Sequence, residues 1–276
     1  FFKAVYSLQP LSLYRKEGIK LEKILIIFYV YAFLIGICIA SFINVVIWRV
    51  PQGLSVAKGR SYCPNCHHTL AWYDLFPIFS YLLLKGKCRY CGVKIPMRDT
   101  IIEFLGGGVA IFCFHRYQFT WDTLIIFSVI MIFLAITMID FDTMTIPNGL
   151  IIALVVPAVL MTILHPEITL LERGIGFFIV SLPMYLLTLM IPDCFGGGDI
   201  KLLAVSGFMI GWKGILLGAF IGVLTCGCYA SWLLITKKTQ KGAHIAFGPY
   251  LCFGIVVSLM YSEFIIHTYL SMFGLK

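Results

Sequence analysis

The sequence predicts an all-α polytopic membrane protein, with about eight transmembrane helices and a small cytoplasmic zinc-binding insert. Three observations predict it. Apolar residues make up 60% of the 276-residue chain and charged residues 12%, with a mean hydropathy of +0.95, whereas a soluble globule is nearer half apolar and a quarter charged. The apolar residues fall into successive runs, most of them close to the length that crosses a bilayer. One sizeable polar segment interrupts them, and it carries four cysteines in two CxxC pairs.

Residues 1–23 are mixed, with Lys3, Arg15, Lys16, Lys20 and Lys23, and do not have the pattern of a cleavable signal peptide. Residues 24–47 form the first apolar run. Gly36, Ala40 and Ser41 give it a small face for helix packing. Asn44 is its polar exception, and Arg49 and Pro51 stop it. Residues 48–100 set Arg49, Lys58, Arg60, Lys85, Lys87, Arg89, Lys94 and Arg98 against Asp74 and Asp99, an excess that places the segment in the cytoplasm.

Further spans are expected at 101–116, 122–139, 147–164, 174–191, 200–212, 214–235 and 246–270. This order brings Asp140, Asp199 and the basic loop Lys237-Lys238-Thr239-Gln240-Lys241 to the cytoplasmic side, while the opposite loops carry only Arg116, Arg173 and Lys213. It also puts the N-terminus outside, which the five basic residues of 1–23 oppose. Residues 1–23 are therefore read as a non-native extension, with initiation near Leu21 or Glu22. The net charge of +8 reflects cytoplasmic loops rather than affinity for nucleic acid, and the partner expected from composition is the lipid bilayer.

Cys63-Pro-Asn-Cys66 and Cys88-Arg-Tyr-Cys91 are two knuckles separated by residues 67–87. Four thiolates on two short turns suit tetrahedral zinc. A pair of disulfides is the rival, and a reducing compartment argues against it. A closed shell of four thiolates makes the metal structural, a staple for a segment with few apolar residues of its own. His67 and His68, beside Cys66, are expected at the surface. Cys38, Cys113, Cys194, Cys226, Cys228 and Cys252 lie in or beside apolar runs and behave as small hydrophobes.

Two acidic sites close apolar runs. One is Asp140-Phe141-Asp142, followed by Ile146-Pro147-Asn148; the other is Gly196-Gly197-Gly198-Asp199. Glycines are poor helix formers and an ionised carboxylate is costly in hydrocarbon. The bland explanation is close helix packing with Asp199 as a cap. Together the two sites point to aspartyl-protease chemistry, in which two carboxylates share a proton, one activating water and the other polarising the carbonyl. The glycines would leave room for a substrate backbone. A proton-coupled transporter is the alternative, and a zinc-dependent scaffold a more distant one. Transporter acids lie near mid-membrane, whereas these sit at cytoplasmic span ends.

From about residue 24 to 270 the chain resembles the type IV prepilin leader peptidase / N-methyltransferase family. The resemblance is carried by Gly36, the run from Ser41 to Pro51, the segment from Gly59 to Cys66, Trp72-Tyr73-Asp74 with Pro77, the second knuckle and Ile102-Glu103. It continues through Asp140 with Ile146-Pro147-Asn148, the GGGD run and Phe247-Gly248-Pro249. It implies a GxGD-type aspartyl protease of the bacterial cytoplasmic membrane that cuts the basic leader of prepilin or pseudopilin precursors after a glycine. The catalytic aspartates map to Asp140 and Asp199, with Gly196, Gly197 and Gly198 in support. Asp142 is the local rival of Asp140; the family pattern sets the catalytic residue six before the Ile of Ile-Pro, which selects Asp140. Asp193 shares the loop of Asp199 without the glycine context. The resemblance also implies N-methylation with S-adenosylmethionine, associated with residues 48–100, and a protease domain over 101–276. Glu103 is either a functional acid of that segment or a helix N-terminal carboxylate favoured by the dipole.

Overall fold

A computed structural model describes residues 18–191, 194–236 and 245–272. The expectations for residues 1–17, Asp193 and the basic loop at 237–241 lie outside the described residues. The described chain is helical, with two isolated antiparallel bridges, Tyr62 with Thr69 and Lys87 with Lys94. Among the described residues, five helical spans are long and apolar enough to cross a membrane, one of them (residues 170–190) made of two consecutive short helices. The chain divides into two compact units, with the boundary inside one long helix at Met131 and Ile132.

The unit before that boundary holds α1 (Gly18–Arg49), the short α2 (Phe79–Leu83), α3 (Met97–Tyr117) and the start of α4 (Trp121–Thr143). α1 and α3 pack on small residues, as Gly36 and Ala40 predict. A Cβ on Gly36 would meet the Gly106 carbonyl and Ala110, and one on Gly106 would meet Ala40. Toward the start of α1, Phe28 and Tyr29 pack edge-on against Phe119 and Phe114, and the Tyr29 hydroxyl pairs with His115 Nδ1 at 2.8 Å. Arg49 does more than end α1. Its buried guanidinium donates to the carbonyls of Ser55, Lys58, Gly59 and Arg60, and so folds the following loop around itself.

The unit after the boundary holds the rest of α4, α5 (Asn148–Leu164), α6 (Leu170–Ile179), α7 (Ser181–Met190), α8 (Gly197–Ile235) and α9 (Gly248–Met272). Two expectations are refined here. The span expected at 174–191 is two helices, broken at Val180. Pro183 accounts for the break, because it has no N–H to give the Ile179 carbonyl. The spans expected at 200–212 and 214–235 run on as one long helix interrupted at Gly211, whose φ of 77° and ψ of 171° only glycine adopts without strain.

Arg173 holds that interruption together. It is fully buried and donates to the carbonyls of Ile168, Phe208, Met209, Met161 and His165. Met161 and His165 end α5, and Phe208 and Met209 precede the break. The cation therefore meets the negative ends of two helical segments, where carbonyls lack intrahelical donors. The sequence had marked Arg173 only as a loop charge.

Candidate active site and metal centre

Asp140 and Asp199 belong to the same unit, and four segment ends assemble around them. Asp140 is in the last turn of α4 and is 5% exposed, whereas Asp142, two residues on and on another helix face, is exposed. Asp199 is the third residue of α8, partly buried, with its backbone N–H on the Gly196 carbonyl at 3.0 Å. The two carboxyl groups are close enough to act on one another electrostatically. Asp140 Oδ2 accepts the backbone N–H of Gly248 at 3.0 Å, at the first residue of α9. Oδ1 of Asp199 is buried and has no hydrogen-bond partner among the described residues. An unpaired buried carboxylate oxygen is costly, and such exceptions concentrate where chemistry is done.

Ile146 ties these ends together. Its side chain lies 2.7 Å from where a Cβ on Gly198 would fall and 3.3 Å from where one on Gly248 would. Pro147 then precedes α5, whose first residue, Asn148, accepts from Lys201 Nζ at 2.9 Å. The glycine run is therefore not simply room for a substrate. A Cβ on Gly196 would meet Asp199 Oδ2 at 2.9 Å and one on Gly198 would strike Ile146, while only Gly197 faces open space. Gly198 is kept small by packing against Ile146, and a side chain on Gly196 would displace the Asp199 carboxylate.

The cysteine cluster lies in the other unit. Sγ atoms of Cys63, Cys66, Cys88 and Cys91 all fall within 4.8 Å of one another, and those of Cys63 and Cys91 are 3.8 Å apart. Zn–S bonds of about 2.3 Å in a tetrahedron put sulfurs roughly 3.8 Å apart, so the donor set fits zinc. The knuckles repeat one design. The N–H groups of Cys63 and Cys88 donate to the carbonyls of His68 and Val93, and those of His67 and Gly92 return to the carbonyls of Cys63 and Cys88. His67 and Gly92 occupy the same left-handed position, at φ 54° and 71°. His67 and His68 are exposed and lie outside the cluster.

The Val93 amide and the Asn65 side chain pull the Cys91 thiol down to about 6. Cys66, despite the His68 amide beside it, is pushed up to about 11 by burial and the neighbouring thiols. Thiols this crowded ionise together only beside a cation.

Two further acids shape the segment. Asp74 takes the Arg89 guanidinium on Oδ1 at 2.8 Å and the Tyr90 hydroxyl on Oδ2 at 3.1 Å, binding the second knuckle to the Trp72-Tyr73-Asp74 turn. Burial works to raise the Asp74 carboxyl, but Arg89, the Ala71 amide and Tyr90 outweigh it and hold it below the usual range. Glu103, expected as a functional acid or a dipole-favoured carboxylate, accepts the backbone N–H of Ile78 at 2.8 Å. It straps the segment to α3, a role its sequence position does not reveal.

The fold and these two sites define a class: a helical membrane protein with an aspartate pair at helix ends in one unit and a four-thiolate knuckle cluster in another. Residues 34–117 match the family model for the bacterial peptidase A24 N-terminal domain, and residues 125–231 match the type IV leader peptidase family. The chain belongs to the type IV leader peptidase family.

Among its relatives, each named prepilin leader peptidase/N-methyltransferase, that of Myxococcus xanthus is 33% identical over 214 residues. The match covers 72% of this chain and 63% of that protein, less than two thirds of its length. The Vibrio cholerae relative is 29% identical over 83% of this chain and 96% of its own, and the Bacillus subtilis relative 29% over 87% and 97%. No solved structure matches the chain. The five apolar helices and the family make it a multi-pass protein of the bacterial inner membrane. The transporter alternative finds no support in the family or in the placement of the acids at helix ends.

Proposed function

We propose that this chain is a membrane-embedded aspartyl endopeptidase that removes the basic leader of prepilin-like precursors after a glycine, and that it methylates the new N-terminus. The observation that carries the reading is the pair of interacting, largely buried carboxyl groups of Asp140 and Asp199. In this reading Asp140, which accepts the Gly248 N–H, takes the role of the ionised acid. Asp199, whose Oδ1 has no donor among the described residues, takes the role of the protonated one.

In the reaction Asp140 takes a proton from water as its oxygen bonds the scissile carbonyl carbon. Asp199 gives its proton to the carbonyl oxygen. On collapse of the tetrahedral intermediate, Asp140 gives the proton it took from water to the departing nitrogen, the C–N bond breaks, and a hydroxyl of the intermediate returns a proton to Asp199 as the new carboxyl group forms.

The eight basic residues of 48–100 against two acidic ones favour the cytoplasmic side for that segment, and the expected order of spans brings Asp140 and Asp199 to the cytoplasmic side. The precursor's basic leader stays on the same side. The full count of eight crossings adds α3 and α5 and divides α8 at Gly211, since 39 residues would make a helix of roughly 58 Å, too long for one crossing. Zinc, held by Cys63, Cys66, Cys88 and Cys91, would staple residues 48–100 without an open coordination position. S-adenosylmethionine supplies the methyl group in this reading, and residues 48–100 are the segment assigned to that activity.

Purified protein incubated with a prepilin-like substrate and S-adenosylmethionine, followed by mass spectrometry, tests both activities. Loss of the leader mass and gain of one methyl support the reading. A substrate left uncut under conditions where the protein stays folded contradicts it.

A further inference from the structure

The segment 48–100 carries a group of large apolar side chains that neither the acid pair nor the cysteine cluster uses. Between the knuckles the chain forms a 3-10 turn at Trp72–Leu75, reverses at Ile78 and enters α2. These residues present Trp72 (73% exposed), Phe76, Phe79, Leu82 and Leu83 (82% exposed). Large apolar side chains gathered in one short stretch mark a surface that something covers.

The position of this elbow says what covers it. The Ile78 N–H is held by Glu103 Oε2, and Glu103 also hydrogen-bonds Ser41 of α1. Glu103 is six residues into α3, about 9 Å from its start, and Ser41 is eight residues, about 12 Å, before the end of α1. The two residues that hold Ile78 thus lie one to two turns inside the ends of two packed helices, which draws Ile78 toward those end turns rather than out beyond them.

The elbow's backbone is equipped for that depth. Ser80, Leu82 and Leu84 donate to Phe76, Ile78 and Ser80, and Gly86 donates to Tyr81. Immersion in lipid requires such internal pairing. Ile78 itself takes φ 62° and ψ −50°, unusual for a β-branched residue, and the Glu103 bond holds it there. Lys85 and Lys87 follow at once and are exposed, long enough to reach headgroup phosphates while their stems lie on apolar surface.

We propose that residues 72–83 form an interfacial anchor, immersed in the headgroup and acyl boundary of the leaflet where α1 ends and α3 begins. Amphipathic elements of this kind bury their apolar face to about 5–10 Å, a depth within reach of an elbow tied to the end turns of α1 and α3. The anchor would fix the cysteine knuckles against the membrane surface. The inference depends on α1 crossing the bilayer and not on the peptidase reading.

The test uses the full chain in nanodiscs of phosphatidylcholine and phosphatidylglycerol, with and without lipids brominated high on the acyl chain. Emission of Trp72 is obtained as the difference between wild type and Trp72→Phe. It is obtained independently from a chain keeping Trp72 alone (Trp48→Phe, Trp121→Phe, Trp212→Phe, Trp232→Phe). The anchor predicts blue-shifted Trp72 emission that loses most of its intensity to the brominated lipid and little to aqueous acrylamide. Quenching by acrylamide without quenching by brominated lipid would mean a water-facing surface, such as a peptide-docking face, and would overturn the proposal. Resistance to both quenchers would mean a protein-covered surface and would overturn it equally.

Discussion

Replacing Gly248 with alanine isolates the contact that orients the acid pair. The new Cβ would lie 2.7 Å from Asp140 Oδ2, 3.2 Å from its Cγ and 3.3 Å from Ile146 Cδ1. Reaching ordinary contact at 3.4 Å moves the carboxylate oxygen by about 0.7 Å. Asp140 is buried, so it has little space in which to retreat. The movement breaks the 3.0 Å bond from the Gly248 N–H. A hydrogen bond to a charged group contributes about 1.5–3 kcal/mol, which corresponds to roughly 10- to 150-fold in rate. Alanine is otherwise the better helix former by up to about 1 kcal/mol, so the loss of thermal stability should be small beside the loss of rate. The assay is steady-state cleavage of a prepilin-like substrate with kcat and KM separated, beside a thermal melt. Gly248→Ala should lower kcat and leave KM near wild type. An unchanged kcat would refute the idea that this amide positions Asp140.

The glycine run should divide by position: Gly197→Ala retains cleavage, while Gly198→Val, driven into Ile146, loses it without removing Asp199. Equal effects of the two in a kinetic assay would contradict the packing described here. Cys63→Ser or Cys91→Ser should release about one zinc per chain and loosen residues 48–100, because lost metal binding is lost folding energy. Metal analysis and limited proteolysis read this, and a zinc-free, disulfide-bonded wild type would overturn it. Arg173→Met should lower the melting temperature through a cost of about 3 kcal/mol or more, from the carbonyls it leaves unpaired. An unshifted melt would show that Arg173 does not hold the Gly211 break. Asp74→Asn should free the second knuckle at neutral pH. The Asp74 carboxyl is held below its ordinary value, so its contribution is present above that value and lost only as pH falls through the lowered one. Hydrogen exchange at residues 88–94 that is identical in wild type and Asp74→Asn would contradict this tie.

Features set by local spacing were legible in the sequence. Two CxxC pairs specify two hydrogen-bonded turns whatever surrounds them, and the structure brings all four sulfurs together. Apolar length marked most helices, and the aspartates stood out as charges at the ends of apolar runs. What depended on distant partners was not legible. Gly248 approaches Asp140 across 108 positions of sequence, and its only local sign was the Phe247-Gly248-Pro249 run at a helix start. Arg173 read as a loop charge because nothing nearby reveals that two helix ends converge on it. Glu103 was left between two roles, and its bond to Ile78 supplied a third. Asp140 and Asp142 differ in burial only through tertiary packing, so separating them in the sequence relied on family resemblance.

The most direct measurement of the central claim is single-turnover cleavage of a photocrosslinkable prepilin-like precursor by wild type, Asp140→Asn, Asp199→Asn and Asp142→Asn. The account predicts that all four crosslink the uncut precursor. Wild type and Asp142→Asn should release the leader, and the other two should not. Cleavage by both Asp140→Asn and Asp199→Asn would contradict the acid-pair mechanism. An active Asp140→Asn beside an inactive Asp142→Asn would show that the first acid is misassigned.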